Sequence, residues 1–277
     1  MSDTDEDLPE ALYLPDRSSD GTDRFVPTIA TRGPWSPDAQ HGGPVAALLA
    51  REAERVESVV PLAIVRLTLE LFKPVPLRPL SVASRLRRPG RRVQLVELGL
   101  FDGDVEVAAA TVLRLRTEAV PIEAAVPLPG QAPDDANPPA PATSSTASFV
   151  DDRWPWLDTI GMDVRFVVGS LWQPGPSVAW FRMRMPLVAG EEPSPAQRVL
   201  IAADSGSGVG AALDFARYRF LNPELTVHLA RRAVGEWVAV DAGTVLSEEG
   251  TGVTTTRLWD SAGVVGSASA ALLVEPG

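Results

Sequence analysis

Apolar residues in the first half of the chain follow one helical pattern and then several strand patterns. In the segment 42–56 (GGPVAALLAREAERV) they recur every three or four residues, and the Gly-Gly-Pro start suits a first helical turn. Alternating or β-rich runs follow, separated by turn-forming sequence, at 65–72, 80–86, 93–101 and 105–115. This order predicts a helix followed by four strands of a meander.

The second half repeats this order. A helix is predicted over 198–215 (RVLIAADSGSGVGAALDF), and strands are predicted over 225–230, 237–246, 253–259 and 264–274. The tripeptide LTL at 67–69 corresponds to LTV at 225–227, and FD at 101–102 corresponds to WD at 259–260, both at an offset of 158 residues. Two distant matches at one offset indicate an internal duplication.

Strand-like sequence also precedes each predicted helix. It lies at 12–14, 25–30, 164–171 and 177–185. One long helix with several antiparallel strands fits a sheet wrapped around a central helix. Two such units can pair their sheets into a pseudo-dimer, which covers an edge that each sheet would otherwise expose.

The composition changes between the two halves. Residues 118–150 hold seven prolines between Pro121 and Pro141, many alanines and the polar run TSST at 143–146. Such a stretch buries too little apolar surface to offset the entropy lost on ordering, so we interpret it as a linker. The expected organisation is an N-terminal unit at 1–117, a linker at 118–150 and a C-terminal unit at 151–277.

The ionisable residues limit the partners and the kinds of catalysis that this chain can have. The chain of 277 residues has 25 basic and 36 acidic side chains, no cysteine and two histidines. A net charge of −11 argues against a nucleic-acid partner, which requires a basic surface. The lack of cysteine excludes disulfides, thiolate nucleophiles and cysteine-bound metals. His41 and His228 lie far apart in the sequence without an HExxH motif, so no metal is expected. The groups that remain available for catalysis are carboxylates, hydroxyls, amides, backbone N–H groups and these two histidines.

Two further patterns concern location and surface. The first ten residues carry five acids and no base, unlike the positive start of a secretory signal. No apolar run approaches the roughly 18 residues that span a bilayer, so we expect a cytoplasmic protein with no membrane partner. The arginine-rich run at 85–92 is interpreted as a solvated hairpin, and its alternative is a clamp for the phosphates of a small anionic ligand.

Three segments carry a resemblance: TRGPWSPDAQHGGPVAALLAR (31–51), ADSGSGVGAALD (203–214) and NPELTVHLARRAVGEWVAVDAGT (222–244). They resemble the acyl-CoA thioesterase-like family of the hotdog superfamily, in the double-hotdog form of bacterial acyl-CoA thioesterase II. The resemblance implies an α+β fold of two tandem hotdog units, each a long central helix wrapped by an antiparallel sheet, with the sheets joined in a pseudo-dimer. It also implies hydrolysis of an acyl-CoA or acyl-carrier thioester without a cofactor, and it leaves open whether the molecule is a homo-oligomer.

The resemblance also implies a set of site residues. In such enzymes backbone N–H groups at a helix N-terminus polarise the thioester carbonyl, and Gly42 and Gly43 stand at that place. A carboxylate with hydroxyl or amide neighbours positions the water, and the resemblance assigns these roles to Asp204 and Thr244. The offset of 158 residues places Ala46 at the position of Asp204, so only one half carries the acid.

Other residues near these positions leave alternatives open. His41 is a candidate general acid or base, or a cap of the helix; Ser205 is a candidate water anchor; Trp35 is expected nearest an acyl tunnel. The family's third polar residue, a glutamine in the last strand, falls at Ala270 or Ala271, where no amide stands. Thioester hydrolysis is favoured, with a non-catalytic acyl-thioester-binding protein with a degenerate site, or a dehydratase that uses His41, as the alternatives.

Overall fold

The computed structural model describes residues 8–17, 21, 23–121, 138–141, 145–146, 155–171 and 173–277. The helices in this part of the chain are α1 (Gly42–Arg55), α2 (Pro195–Ala203) and α3 (Gly206–Val209), with a 3₁₀ turn at Ile29–Thr31 and a π-helical turn at Leu157–Gly161. The strands are β1 (Tyr13–Arg17), β2 (Asp23–Pro27), β3 (Leu62–Leu71), β4 (Leu80–Pro89), β5 (Val93–Asp102), β6 (Val105–Arg116), β7 (Ser145–Thr146), β8 (Met162–Ser170), β9 (Gln173–Met183), β10 (Tyr218–Leu221), β11 (Glu224–Leu229), β12 (Val238–Leu246), β13 (Thr251–Asp260) and β14 (Gly263–Pro276).

All of these strands belong to one antiparallel sheet. Their order is β1-β2-β4-β5-β6-β3-β11-β14-β13-β12-β9-β8-β7, with β10 paired to β14. The two halves meet where β3 pairs with β11, and Thr68 stands opposite Thr226, its counterpart at the offset of 158 residues. Through this pairing the two halves share one continuous sheet.

The sheet wraps around the helices. The side chains of α1 from Val45 to Ala50 are fully buried, as expected for a helix covered on most of its surface. The two long helices touch at Gly43, where a Cβ atom would lie 2.5 Å from the carbonyl oxygen of Ile201. Only glycine lets the two backbones approach this closely.

Polar contacts fix the direction of the second helix relative to the first. Ser194 caps α2 and forms a capping box with Gln197, and both side chains donate to Glu54 near the C-terminal end of α1, at 2.8 and 2.9 Å. The end of α1 therefore lies at the start of α2. At the other end of the helix pair, the start of α1 meets the end of α2.

The helix predicted over 198–215 is wrong beyond Ala203. The chain turns at Asp204 and Ser205, continues as the short α3, and has no helix over 210–215. A Cβ atom at Gly210 would lie 2.6 Å from the backbone carbon of Ala242, so the backbone here packs directly on β12. Glycine disfavours a helix and permits this contact, which breaks the regular pattern.

The predicted four-strand meander is also wrong in part. β4, β5 and β6 form a meander, but β3 lies between β6 and β11 instead of beside β4. The connection at 72–79 contains three prolines, which favour an extended crossing over a tight hairpin. It carries the chain from the seam to the far side of the meander, where β4 pairs with β2.

Three other expectations concern the surface and the linker. The arginines at 85–92 are exposed on and beside the β4–β5 hairpin, which confirms the solvated hairpin. No helix in the described ranges is long and apolar enough to cross a membrane. Of the predicted linker, the structure describes 118–121, 138–141 and 145–146, and the rest lies outside the described residues.

Candidate active site

A cavity of about 360 Å³ lies between the start of α1, the end of α2 and strands of both halves. Its wall is largely aromatic and aliphatic, and its Trp and Phe residues are Trp35, Phe72, Trp156, Phe166, Phe181, Phe215 and Phe220. The polar residues that line it near the helix ends include His41, Asp158, Asp204, Ser205 and Asn222. An apolar wall with a few convergent polar groups is the usual form of a small-molecule site.

Asp204 stands at the C-terminal end of α2, and its side chain is 3% exposed. Asn222 donates to its Oδ1 at 2.7 Å, His41 Nδ1 lies 2.8 Å from its Oδ2, and the Gly43 N–H also bonds the carboxylate. Burial by itself raises the pKa of Asp204, but His41, Asn222 and Gly43 together outweigh it and hold the pKa below its ordinary value. The carboxylate is therefore ionised at neutral pH.

His41 caps the N-terminus of α1, and its ring stacks on Trp156 with centroids 6.5 Å apart. Burial lowers the pKa of His41, but the charges of Asp204 and, less strongly, Asp158 outweigh it, so the pKa lies above its ordinary value. The Gly43 nitrogen lies 3.2 Å from Nδ1 of His41. Nδ1 cannot accept a hydrogen bond from the Gly43 N–H while it donates one to Asp204. We therefore assign the Nδ1 proton to the Asp204 contact. Nε2 has no hydrogen-bond partner in the described part of the chain.

The first turn of α1 has N–H groups without intrahelical acceptors. The N–H of His41 donates to a backbone carbonyl at 2.8 Å, that of Gly43 faces Asp204 and His41, and Pro44 has none. This leaves the N–H of Gly42, a residue that lines the cavity, and this N–H has no acceptor among the described residues. A free N–H at the positive end of a helix can stabilise a developing oxyanion.

Asp158 and Asn222 belong to the site but were not predicted. Asp158 lies in the π-helical turn, is 7% exposed, and its Oδ1 is 3.5 Å from Oγ of Ser205. Burial raises the pKa of Asp158 to about 6, with His41 opposing the shift and Asp204 adding to it. Neither residue has a periodic spacing to Asp204 that sequence patterns could detect.

Two family models match the chain. The model of the acyl-CoA thioesterase N-terminal domain matches residues 31–115, and the model of the acyl-CoA thioesterase C-terminal domain matches residues 129–274, more than half of the chain. The chain belongs to the acyl-CoA thioesterase family. No curated protein matches its sequence.

Solved structures align with this acyl-CoA thioesterase family member over almost its full length. A hotdog-fold protein of unknown function from Alicyclobacillus acidocaldarius is 17% identical, with a TM-score of 0.71, and covers 94% of this chain and 96% of its own. A putative thioesterase II from Thermobifida fusca YX is 16% identical, with a TM-score of 0.70 and coverages of 94% and 95%. An acyl-CoA thioesterase II from Mycobacterium marinum is 15% identical, with a TM-score of 0.67 and coverages of 95% and 96%. These likenesses confirm the α+β double-hotdog fold.

Most of the site residues expected from the acyl-CoA thioesterase resemblance meet at the cavity. Trp35 and Ser205 line the cavity with His41, Gly42 and Asp204, and the Trp35 ring stacks on Phe215 with centroids 6.0 Å apart. Gly43 lies just behind the wall and contacts the Asp204–His41 pair through its N–H.

Thr244 is not brought to this group. It lies on β12, where its Oγ1 is 2.8 Å from Oγ1 of Thr254, and it does not line the cavity. Ala270 and Ala271, on β14, do not line it either. The amide in contact with Asp204 is instead that of Asn222, which lies just before β11.

Proposed function

We propose that this protein hydrolyses acyl thioesters, with acyl-CoA as the substrate class, in the cavity that holds Asp204. The observation that carries the proposal is the buried pair of Asp204 and His41 beside the N–H of Gly42 that has no acceptor in the described chain. Membership of the acyl-CoA thioesterase family supports the substrate class.

In this proposal the thioester carbonyl oxygen accepts the Gly42 N–H, at the positive end of α1. Asp204 raises the pKa of His41, and the protonated ring donates from Nε2 to the same oxygen as negative charge develops there. Such preorganised donors stabilise the tetrahedral intermediate by about 2.7–4 kcal/mol each in hydrolases. The aromatic wall near Trp35 and Phe215 receives the acyl chain.

We assign the proton acceptor for the attacking water to a carboxylate, because the chain has no cysteine and the raised pKa of His41 favours its protonated form. Asp204 contributes its charge: it stabilises the protonated form of His41, aligns the ring and accepts the Gly43 N–H. Thr244 has no role in the proposal, because it does not line the cavity.

The test is Asp204→Asn, assayed with a panel of acyl-CoA and acyl-carrier-protein thioesters of different chain lengths. We expect kcat/KM to fall by about 100-fold or more, because the amide neither holds the His41 charge nor preserves the oxyanion site. The matched control is Asp38→Asn, an exposed carboxylate in the loop before His41, which should leave the rate unchanged. Thermal unfolding establishes that both variants fold. An unchanged rate in Asp204→Asn would remove this pair from the mechanism.

A second candidate is dehydration of a hydroxyacyl thioester, and the observation that favours it is the Nε2 of His41, which has no partner in the described residues. The raised pKa of His41 opposes it, since a protonated ring cannot accept the substrate proton. Incubation with 3-hydroxyacyl-CoA distinguishes the two, because an enoyl product indicates a dehydratase and free thiol indicates a hydrolase. Tight binding of acyl-CoA with neither product would support a binding protein with a degenerate site.

A further inference from the structure

Asp158 lies beside the Asp204–His41 pair, on a turn whose backbone is hydrogen-bonded to the N-terminal half of the chain. The N–H of Leu157 donates to the carbonyl of Arg32 at 3.0 Å, which ties the turn to the N-terminal half. Within the turn, the Thr159 hydroxyl donates to the Trp156 carbonyl at 2.8 Å and accepts the Trp156 N–H at 2.9 Å. These bonds position the backbone of Asp158 at the cavity wall, as a catalytic group requires.

The two buried acids differ in their hydrogen bonds. Asp204 receives donors from Asn222, His41 and Gly43, which occupy most of its acceptor capacity. Asp158 is equally buried, yet its one hydrogen bond within the described residues is with Ser205, at the long distance of 3.5 Å. Asp158, which lines the cavity, thus retains most of its acceptor capacity, and Asp204 retains little.

The charged groups that act on Asp158 are His41, from the start of α1, and Asp204, from the end of α2. Their opposite charges partly cancel, so burial dominates and places the pKa of Asp158 at about 6. A general base is most effective when its pKa lies near the pH at which it works. The lowered pKa of Asp204 makes that carboxylate a poor proton acceptor by comparison.

We propose that Asp158 is a catalytic residue of the hydrolase described above, on which this inference rests, and that it is the base for the attacking water. Its carboxylate takes one proton from water as the water oxygen bonds to the thioester carbonyl carbon. The carbonyl π electrons move to the oxygen held by the Gly42 N–H. When the carbonyl re-forms, the C–S bond breaks, and Asp158 returns its proton to the departing sulfur. The products are a carboxylic acid and a thiol, and Asp204 acts as a positioning residue for His41.

The experiment compares the pH dependence of kcat/KM for acyl-CoA hydrolysis in the wild type, Asp158→Asn, Asp158→Glu and the control Asp38→Asn. The wild type and the control should lose activity on the acid side as Asp158 becomes protonated, with a midpoint near pH 6. Asp158→Asn should lower kcat/KM by about 100-fold or more and abolish that acid limb. Asp158→Glu should keep an acid limb and recover part of the rate, because it keeps a carboxylate.

The outcomes separate this inference from the proposed function. If the wild type hydrolyses no acyl thioester, both are overturned. If the wild type is active and Asp158→Asn retains its rate, or loses rate while keeping the same acid limb, Asp158 is not the base and the proposed function stands. If Asp158→Asn fails to fold, Asp158→Glu decides: a rate no better than background at every pH, in a folded protein, would also overturn the role.

Discussion

Gly42 lies against Asp204, and the substitution Gly42→Ala tests whether this contact sets the site. A Cβ atom at position 42 would lie 2.8 Å from Oδ2 and 3.0 Å from Oδ1 of Asp204. The backbone of Gly42 is helical and is not in the left-handed region, so alanine meets no backbone strain there. Alanine also favours a helix over glycine by about 1 kcal/mol. The perturbation therefore acts mainly on the Asp204 carboxylate.

The size of the effect follows from the distances. To restore an ordinary contact of about 3.4 Å, Oδ2 must retreat by about 0.6 Å. A retreat away from His41 widens the 2.8 Å contact to about 3.4 Å, beyond the roughly 3.2 Å limit of a good N–H···O hydrogen bond. A hydrogen bond to a charged group contributes about 1.5–3 kcal/mol, so its loss from the transition state lowers kcat/KM by about 10- to 150-fold.

Two measurements check this prediction: steady-state hydrolysis of acyl-CoA and the pKa of His41 from NMR titration. The chain has two histidines, so the His41 signal is assigned by comparison with a His228→Gln variant, a change at an exposed position on β11. In Gly42→Ala the pKa of His41 should fall toward its ordinary value, because the Asp204 charge moves away. The matched control is Gly243→Ala, where a Cβ atom would meet Pro176 at an ordinary 3.7 Å. A wild-type rate together with an unchanged His41 pKa would refute the reasoning.

Two further predictions concern stability. Because burial raises the pKa of Asp158 from 3.8 to about 6, ionising it in the folded state costs about 3 kcal/mol above pH 6 and almost nothing below pH 4. Asp158→Asn should therefore raise the free energy of unfolding at pH 8 by up to about 3 kcal/mol and not at pH 4, and equal effects at both pH values in urea unfolding would contradict this. Arg51 is 8% exposed and pairs with Glu52 and Glu191, with Nε 2.6 Å from Glu191 Oε2. Arg51→Met should lower the free energy of unfolding by about 1–3 kcal/mol, against less than about 0.5 kcal/mol for the exposed control Arg55→Met.

The elements that could be predicted from the sequence are those with a continuous local pattern. The helix at 42–56 is observed at Gly42–Arg55, and the β-rich runs of both halves are observed as strands with shifted ends. In each case the alternation or the helical repeat is imposed by one buried face, which a short window of sequence contains. The early end of the second helix was not predicted, because it depends on the close approach of Gly210 to β12, which is a tertiary contact.

The site was predictable only where a residue lies next to such an element. Gly42, Gly43 and His41 stand at the start of α1, and Asp204 is an acid in a small, apolar stretch that should be buried. Their position relative to the helix follows from the sequence. The contact of Asp204 with α1 does not, because it depends on how α1 and α2 cross.

The sequence by itself determined the repeat, the long first helix, the strand-rich halves and a chemistry limited to carboxylates, amides, hydroxyls, backbone N–H groups and two histidines. Only the tertiary structure decided which of these groups meet. Asp158, Asp204 and Asn222 are separated along the chain and share no periodicity, yet they meet at the site. Thr244, on β12, lies away from the cavity. The physical reason is that the pKa values and hydrogen bonds of the site arise from burial and from distances of a few ångströms between the ends of α1 and α2 and the segments packed against them. These distances are set by packing between segments, and a linear pattern does not contain them.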